Sequence, residues 1–305
     1  MVQPRAGRRW LRVAVAVVAL FMLSCAALVV YDRATGRSMR DEAASAPRDP
    51  ETGIVRGAEP REYAADGDRA CLLLHGFSSS PADFGALGPV LHAQGVHVFA
   101  PLLPGHGRSP EDLRGTRRDD WTRAAEEAFD HLATRHECVD VVGFSMGGVL
   151  ALHLARARGP RRVVLWGAFF RVTHKWHYVL PIEWSTRLIV PIVRYVRKAP
   201  EATNVNDQTQ IGKFPFYRHL STRASLELFG LAGQVFDEAG GVSVPVLMLH
   251  GTGDETASPD AAREYFAALG SAEKEARWFE RSNHILGWDH DREAVIRDTV
   301  AFLSR

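Results

Sequence analysis

The stretch "VVGFSMGGVL", residues 141–150, constrains this chain more than any other ten residues. A β-branched run enters it, small and apolar residues leave it, and Gly143 and Gly147 flank Ser145 two positions away on either side. A strand before the serine and a helix after it make a tight turn. The two glycines remove the Cβ atoms that would collide there, so the serine can take a strained backbone with its hydroxyl pushed into the open. The following helix aims its free N-terminal amides at the same place. A glycine-rich strand end with an incidental serine would carry the same letters, so the surroundings decide between the two readings.

Those surroundings alternate. Apolar runs at 70–77 ("ACLLLHGF"), 96–107, 139–144, 161–170, 244–251 and 275–280 suit strands of a parallel sheet covered on both faces. Helical patterns fall between them at 81–94, 121–134, 146–158 and 259–269, and a last one at 292–303 closes the chain. The alternation predicts an α/β fold with a mostly parallel, doubly wound sheet. With 305 residues, the chain is long enough for one large α/β domain or two smaller ones.

The span from about 171 to 241 breaks the rhythm and is too long for a simple connection. It holds Trp176, Tyr178, Trp184, Phe214, Phe216 and Tyr217, and Pro181 and Pro191 keep any helices in it short or kinked. It reads as an inserted helical cap over one end of the sheet, with 221–238 a helix returning to it. Between Arg171 and Arg218 the cap carries eight Lys/Arg against three acids, Glu183, Glu201 and Asp207. A solvated basic surface accounts for that; so does a surface that rests near anionic lipid headgroups. "TRLIVPIVRYVRK", 186–198, has the pattern of an amphipathic entrance helix, or of a helix facing the core.

A serine nucleophile needs a base, and the base needs an orienting acid. With a strand–Ser–helix turn the chain order is serine, acid, histidine. "LMLHGTGDETASP" places Asp254 just past a strand end, and "FERSNHILGWD" places His284 just past the next. Loops at the carboxyl ends of strands are where open α/β sheets build their sites. Glu255 is the fallback acid. Asp260 follows Ser258-Pro259 and reads as a first-turn carboxylate, and His290, between Asp289 and Asp291, as a solvated residue. Donors for a developing oxyanion are expected at the amide of Met146 and at the amide of Phe77 in "HGF". His75 and His106 read as loop braces.

Composition excludes several classes. A net charge of +1 gives no field for nucleic acid, and no zinc-like Cys/His spacing or phosphate-binding glycine loop is present, so no metal or organic cofactor is implied. No protein partner is implied either. The N-terminus points to a membrane. Arg5, Arg8, Arg9 and Arg12 precede an uncharged run, Val13 to Val30, of 18 residues, roughly 27 Å as a helix against a hydrocarbon core of ~30 Å. The arginines stay on the cytoplasmic side, which sends the rest of the chain outward. An uncleaved signal anchor fits better than a signal peptide cleaved after "SCA" at Ala26, a lipid-modified Cys25 or a twin-arginine signal at Arg8-Arg9. The organisation read here is an anchor at 1–31, a polar linker at 32–60 and a hydrolytic domain at 61–305.

"LLLHGFSSSPADF", "PLLPGHGRSPEDL", "DDW", "GFSMGG", "HGTGD" and "NHILGWD" together resemble the bacterial carboxylesterase and monoacylglycerol lipase branch of the α/β-hydrolase superfamily. The resemblance runs from about residue 57 to the C-terminus, the cap only loosely included. It implies a serine hydrolase acting on carboxylic esters of small molecules or lipids through an acyl-enzyme, with Ser145, Asp254 and His284 as triad. An acyltransferase or thioesterase would use the same triad, and a non-catalytic binding protein the same fold. Cys71 and Cys138, on neighbouring strands, read as two buried thiols; a disulfide between them is the competing reading for an oxidising compartment.

Overall fold

The computed structural model describes residues 5–176, 178–198 and 204–305; Glu201 of the basic cap lies outside them. In chain order the strands are β1 (Arg61–Tyr63), β2 (Arg69–Leu74), β3 (His97–Ala100), β4 (Cys138–Phe144), β5 (Val163–Trp166), β6 (Tyr195–Arg197), β7 (His219–Ser221), β8 (Val246–Gly251) and β9 (Lys274–Phe279). The helices are α1 (Arg5–Ser45), α2 (Leu87–His92), α3 (Pro110–Gly115), α4 (Arg118–Ala133), α5 (Met146–Ala157), α6 (Ile182–Ile189), α7 (Thr222–Asp237), α8 (Pro259–Ala268) and α9 (Arg292–Leu303). Seven strands form one sheet in the order β1-β3-β2-β4-β5-β8-β9, parallel except for β1 against β3. This is the α/β arrangement that the alternating pattern predicts.

Side chains alternate across the central strands, and each set finds its own helices. Leu72, Leu74, Val141, Val163 and Met248 pack with α4, α5, α7 and α8. Leu73, Val142, Phe144, Val164, Trp166 and Leu249 pack on the other face with α2 and α9. That is why the strands read as continuous apolar runs instead of alternating ones. α4 buries Trp121, Ala125, Phe129 and Leu132 on one stripe, while α5, between sheet and helices, buries nearly every residue.

Three local readings are corrected. The helix expected over 81–94 breaks at Gly85 (φ 53°) into a short turn, Pro81–Phe84, and α2. The entrance helix expected over 186–198 stops at Ile189, and its end pairs as β6 with β7; Pro191 lacks the N–H to carry the helix on. The linker expected over 32–60 is helical to Ser45, because α1 continues past its apolar run and docks on the β6–β7 hairpin. Cys71 and Cys138 are free thiols, as expected, Cys71 buried and Cys138 half-buried. In register Cys71 lies opposite Asp140, two residues along from Cys138. That diagonal is roughly 8 Å by strand geometry, beyond disulfide reach. Burial pushes the Cys71 thiol well up, so it serves as a small apolar residue.

α1 has 41 residues, about 62 Å of helix. Its apolar stretch from Val13 to Val30 is largely exposed and long enough to cross a membrane. From Asp32 onward it is packed: Asp32, Thr35 and Met39 are buried.

Candidate active site

Ser145 follows β4 and caps α5 with φ 53° and ψ −114°, a left-handed backbone for a residue with a side chain. Two close approaches enforce it. A Cβ on Gly147 would lie 1.7 Å from the Leu74 carbonyl oxygen, and one on Gly143 2.1 Å from that of Gly147. Both positions therefore admit only glycine, and α5 is pressed against the ends of β2 and β4.

Three loops at the carboxyl ends of β4, β8 and β9 bring the predicted side chains together. Nε2 of His284 is 3.0 Å from Oγ of Ser145, and Nδ1 is 2.7 Å from Oδ2 of Asp254. The ionised carboxylate only accepts, so Nδ1 carries the proton and Nε2 offers its lone pair to the serine hydroxyl. All three residues are buried. Burial works to raise the Asp254 carboxyl, but the adjacent His284 and hydrogen bonds from His250 and His284 hold it well below the usual carboxylate range. Its other oxygen accepts the amides of Thr256 and Ala257, both at 2.8 Å. Glu255, the fallback acid, instead pairs with Lys175 at the surface. Asp260 pairs with Arg263 in the first turn of α8.

Met146 is the first residue of α5, so its N–H has no acceptor within the helix. Phe77 follows β2, whose end lies against the start of α5, and its loop is braced from two sides. The amide of Leu103 donates to Nε2 of His75 at 3.0 Å, which leaves the ring proton on Nδ1 to donate to the Gly76 carbonyl at 2.9 Å. Burial, with His106 nearby, pushes the His75 imidazole well down and keeps it neutral. Burial likewise lowers His106 to about 4; its Nδ1 meets the Pro104 carbonyl, and its ring lies against His75 and Trp121. Both histidines brace loops, as expected.

Four contributors escaped the sequence reading. Asp83, buried behind the loop, accepts the Gly76 amide at 2.9 Å and the Ser79 hydroxyl, and burial raises it to about 6. Its signal was present in "SSSPADF", where Ser-Pro opens a helical turn and the acid falls in that first turn. His250 lies 3.3 Å from Asp254 and donates from Nε2 to the Ala257 carbonyl. Asp289 is buried and accepts four backbone amides, those of Asn206, Asp207, Asn283 and His290. Asn204, at φ 58°, accepts the amides of His284 and Ile285 on its carbonyl and the Thr256 hydroxyl on its side chain. It thus joins the histidine loop to the aspartate loop. Nothing in the sequence near Asn204 marks partners some 50 to 80 residues away.

A cavity of about 470 Å³ is lined by Ser78, Ser79, Phe214, Phe216 and Trp288, with Ala46 and Val55. Ser145, Asp254 and His284 do not line it.

The strand order, the serine turn and the three converging loops define the class: a hydrolase of the α/β-hydrolase fold. Residues 65–291 match the family described as serine aminopeptidase, S33, and the chain belongs to that family. The chain is similar to a carboxylesterase of Bacillus subtilis (strain 168), 26% identical, covering 78% of this chain and 94% of that one. It is equally similar to a thermostable monoacylglycerol lipase of Bacillus sp. (strain H-257), again 26% identical, over 83% and 96%. Among solved structures, one from a study of two metagenome-derived lipolytic enzymes, LipS and LipT, shares the fold with a TM-score of 0.74 at 23% identity, covering 82% of this chain and 99% of that one.

Proposed function

We propose that the chain is a membrane-anchored serine hydrolase of carboxylic esters, monoacylglycerol-like lipids among them. Ser145 is the nucleophile, His284 the base and Asp254 the orienting acid. The amides of Phe77 and Met146 receive the oxyanion, and residues 171–241 act as the cap. The observation that carries the reading is the Ser145–His284–Asp254 relay, at 3.0 and 2.7 Å on a strained turn. The names of the carboxylesterase and monoacylglycerol lipase relatives support the ester as substrate.

In this cycle His284 takes the serine proton as Oγ attacks the ester carbonyl. The proton then goes to the leaving alcohol, and a water activated by the same ring releases the acid. The buried Asp254 carboxylate stabilises the imidazolium formed on the way. α1 anchors the chain, with its arginine end in the cytoplasm and the catalytic domain outside.

The test is a chain-length series of p-nitrophenyl esters on wild type, Ser145→Ala and His284→Ala. Each variant loses at least ~10³-fold in kcat with an unchanged melting curve. Near-native turnover in either variant sinks the triad. Protease added outside the cytoplasmic membrane cuts the catalytic domain; protection there reverses the orientation.

A further inference from the structure

We infer that the cavity lined by Ser78, Phe214 and Trp288 binds a single-chain anionic lipid, separately from the triad. The acyl chain lies over the aromatic rings, and a carboxylate or phosphate head meets a rim of unpaired arginines. Neither the triad nor Phe77 or Met146 lines this cavity, so the inference goes beyond the hydrolase reading above. One wall comes from residues 42–61, ahead of the family match, which begins at residue 65. That wall is a folded part of the domain. Arg48 and Val55 pair as an antiparallel bridge, and the Arg48 guanidinium donates to the carbonyls of Ala43 at 2.8 Å and Gly53 at 2.9 Å. The Val55 amide donates to the Gly107 carbonyl at 2.8 Å, which ties the segment to the loop after β3.

The charge around the cavity is one-sided. Arg48, Arg56, Arg61, Arg108, Lys213 and Arg218 line it. Among the described residues none of these six has a carboxylate at ion-pair distance. The one carboxylate in the wall, Glu42, is already bonded to His219 Nδ1 at 2.5 Å and to the Arg218 amide at 3.2 Å. Lys198, 5.9 Å over the Phe216 ring, is likewise without a carboxylate at that distance. Elsewhere the arginines are matched, Arg161 with Asp140, Arg194 with Asp32 and Arg292 with Asp207. The whole chain carries a net charge of only +1, so the unmatched positive charge is local to this hollow. A concave wall of one sign draws the opposite ion, and guanidinium forks fit carboxylate and phosphate oxygens.

The rest of the lining is apolar. The Phe214 ring lies 5.8 Å from that of Phe216 and 5.2 Å from that of Trp288, centre to centre. The Trp288 N–H donates to the Ala82 carbonyl at 2.7 Å, so the remainder of that ring offers only carbon. Val55 and Ala82 extend the apolar surface. An inorganic anion has no use for such a surface, and a neutral lipid has none for the arginines; an anionic lipid uses both. The volume of about 470 Å³ falls in the ~300–1,000 Å³ range of small-molecule sites. Ser78 points to a ligand independently. It is 2% exposed and sits at φ 58°, a left-handed backbone that residues with side chains seldom take. Its hydroxyl makes no hydrogen bond within the protein. Buried polar groups nearly always have a partner, and a head-group oxygen is the one that this cavity can supply.

The test uses the full chain in phosphatidylcholine nanodiscs, which carry no net charge, with dansyl-undecanoate as the fluorescent probe. Binding is saturable, and decanoate or decyl phosphate displaces the probe while decanol does not. Displacement by decanoate alone identifies a fatty acid as the ligand, and by decyl phosphate alone a phosphate lipid. Equal displacement by all three, or no saturable binding, overturns the site. The side chains of Arg56 and Arg108 are exposed and make no bond within the protein, so Arg56→Ala, Arg108→Ala leaves the melting curve unchanged. It weakens probe binding about tenfold or more. Ala46→Trp, which fills the cavity, weakens it at least as much. Unchanged affinity in the arginine variant overturns the role of the rim, and in Ala46→Trp it shows a surface adsorption that overturns the cavity as the site. Labelling Ser145 beforehand with a long-chain fluorophosphonate leaves probe affinity unchanged; loss of binding on labelling puts the ligand in the catalytic cleft and overturns the separate site. A chain that does not react with the fluorophosphonate sinks the hydrolase reading instead, and Ala46→Trp then decides the cavity by itself.

Discussion

The turn at Ser145 and the hairpin at Arg194 are both held by residues distant in the chain, but by different forces. The turn is fixed by excluded volume: a methyl group on Gly147 would overlap the Leu74 carbonyl oxygen at 1.7 Å. Around it the polar atoms are buried and bonded, Asp254 and His75 included. The hairpin has two three-residue strands. It is held to α1 by Asp32–Arg194 and Glu42–His219, and to α3 by the Tyr195 hydroxyl on Glu111. The Arg194 side chain is 44% exposed. Steric overlap is all-or-none, whereas ion pairs at a solvent edge are graded and screened. The turn therefore sits in a part that cannot yield, and the hairpin in a part that can.

The largest effects fall on the rigid side. Asp254→Asn keeps the amides of Thr256 and Ala257 in place but presents His284 with the wrong partner, so kcat falls about 10⁴-fold with the fold intact. A loss under tenfold on soluble esters removes Asp254 from the relay. Gly147→Ala forces the backbones of β2 and α5 apart, at a cost above ~4 kcal/mol, and yields little folded protein. Its control is Gly233→Ala in α7, where a Cβ meets nothing within 4 Å. That change stabilises the chain by about 0.5–1 kcal/mol in chemical denaturation. If the two glycines respond alike, excluded volume is not what holds the turn.

The same contrast decides what the sequence could disclose. Ser145 between Gly143 and Gly147 is legible because the steric demand is local and leaves its mark within five residues. Asp254 and His284 are legible because each follows an apolar strand, and the sheet brings strand ends together. Three-residue β1, "REY", carries no alternation to detect, and its pairing with β3 depends on an edge that only the folded sheet defines. The break at Gly85 follows from a positive φ inside an otherwise helical pattern. Residues 32–45 read as linker because their partners, Arg194 and His219, lie more than 160 residues away. Polar residues that pair at such range have the composition of solvated ones. Asn204 is missed for the same reason, and Asp289 in part, since two of the four amides it accepts, those of Asn206 and Asp207, belong to another loop.

A middle-sized effect comes from Asp83, behind the loop that carries Phe77. Burial raises its carboxyl from the ordinary 3.8 to about 6. The folded state therefore holds this proton more tightly than the unfolded one. The group's contribution is fully present below about pH 4 and is lost as pH rises through about 6, by roughly 3 kcal/mol. Asp83→Asn removes that slope from the dependence of unfolding free energy on pH between about 4 and 6. Asp254 works in the opposite sense and outside that window. Its carboxyl is held low, so its contribution is present above 3.8 and is lost as pH falls further. An unchanged slope in Asp83→Asn places the titration elsewhere.

The smallest effect is on the graded side and tests the comparison most sharply. Asp32 is buried, but the Arg194 guanidinium reaches water and can rehydrate when its partner goes. Asp32→Ala therefore costs about 1 kcal/mol or less from the ion pair itself. It also leaves the Arg194 amide without its acceptor, which loosens the first residues of β6. Asp32→Asn keeps an oxygen for that amide and removes only the charge. Hydrogen exchange across 195–197 separates the two: it speeds clearly in Asp32→Ala and only slightly in Asp32→Asn. Turnover of a soluble ester stays within about twofold in both, as expected for sites that share no partner. A tenfold fall in kcat would mean that hairpin and turn move as one body, and the division between rigid turn and graded hairpin would be wrong. Exchange that speeds equally in both variants would instead assign the clamp to the charge and not to the amide bond.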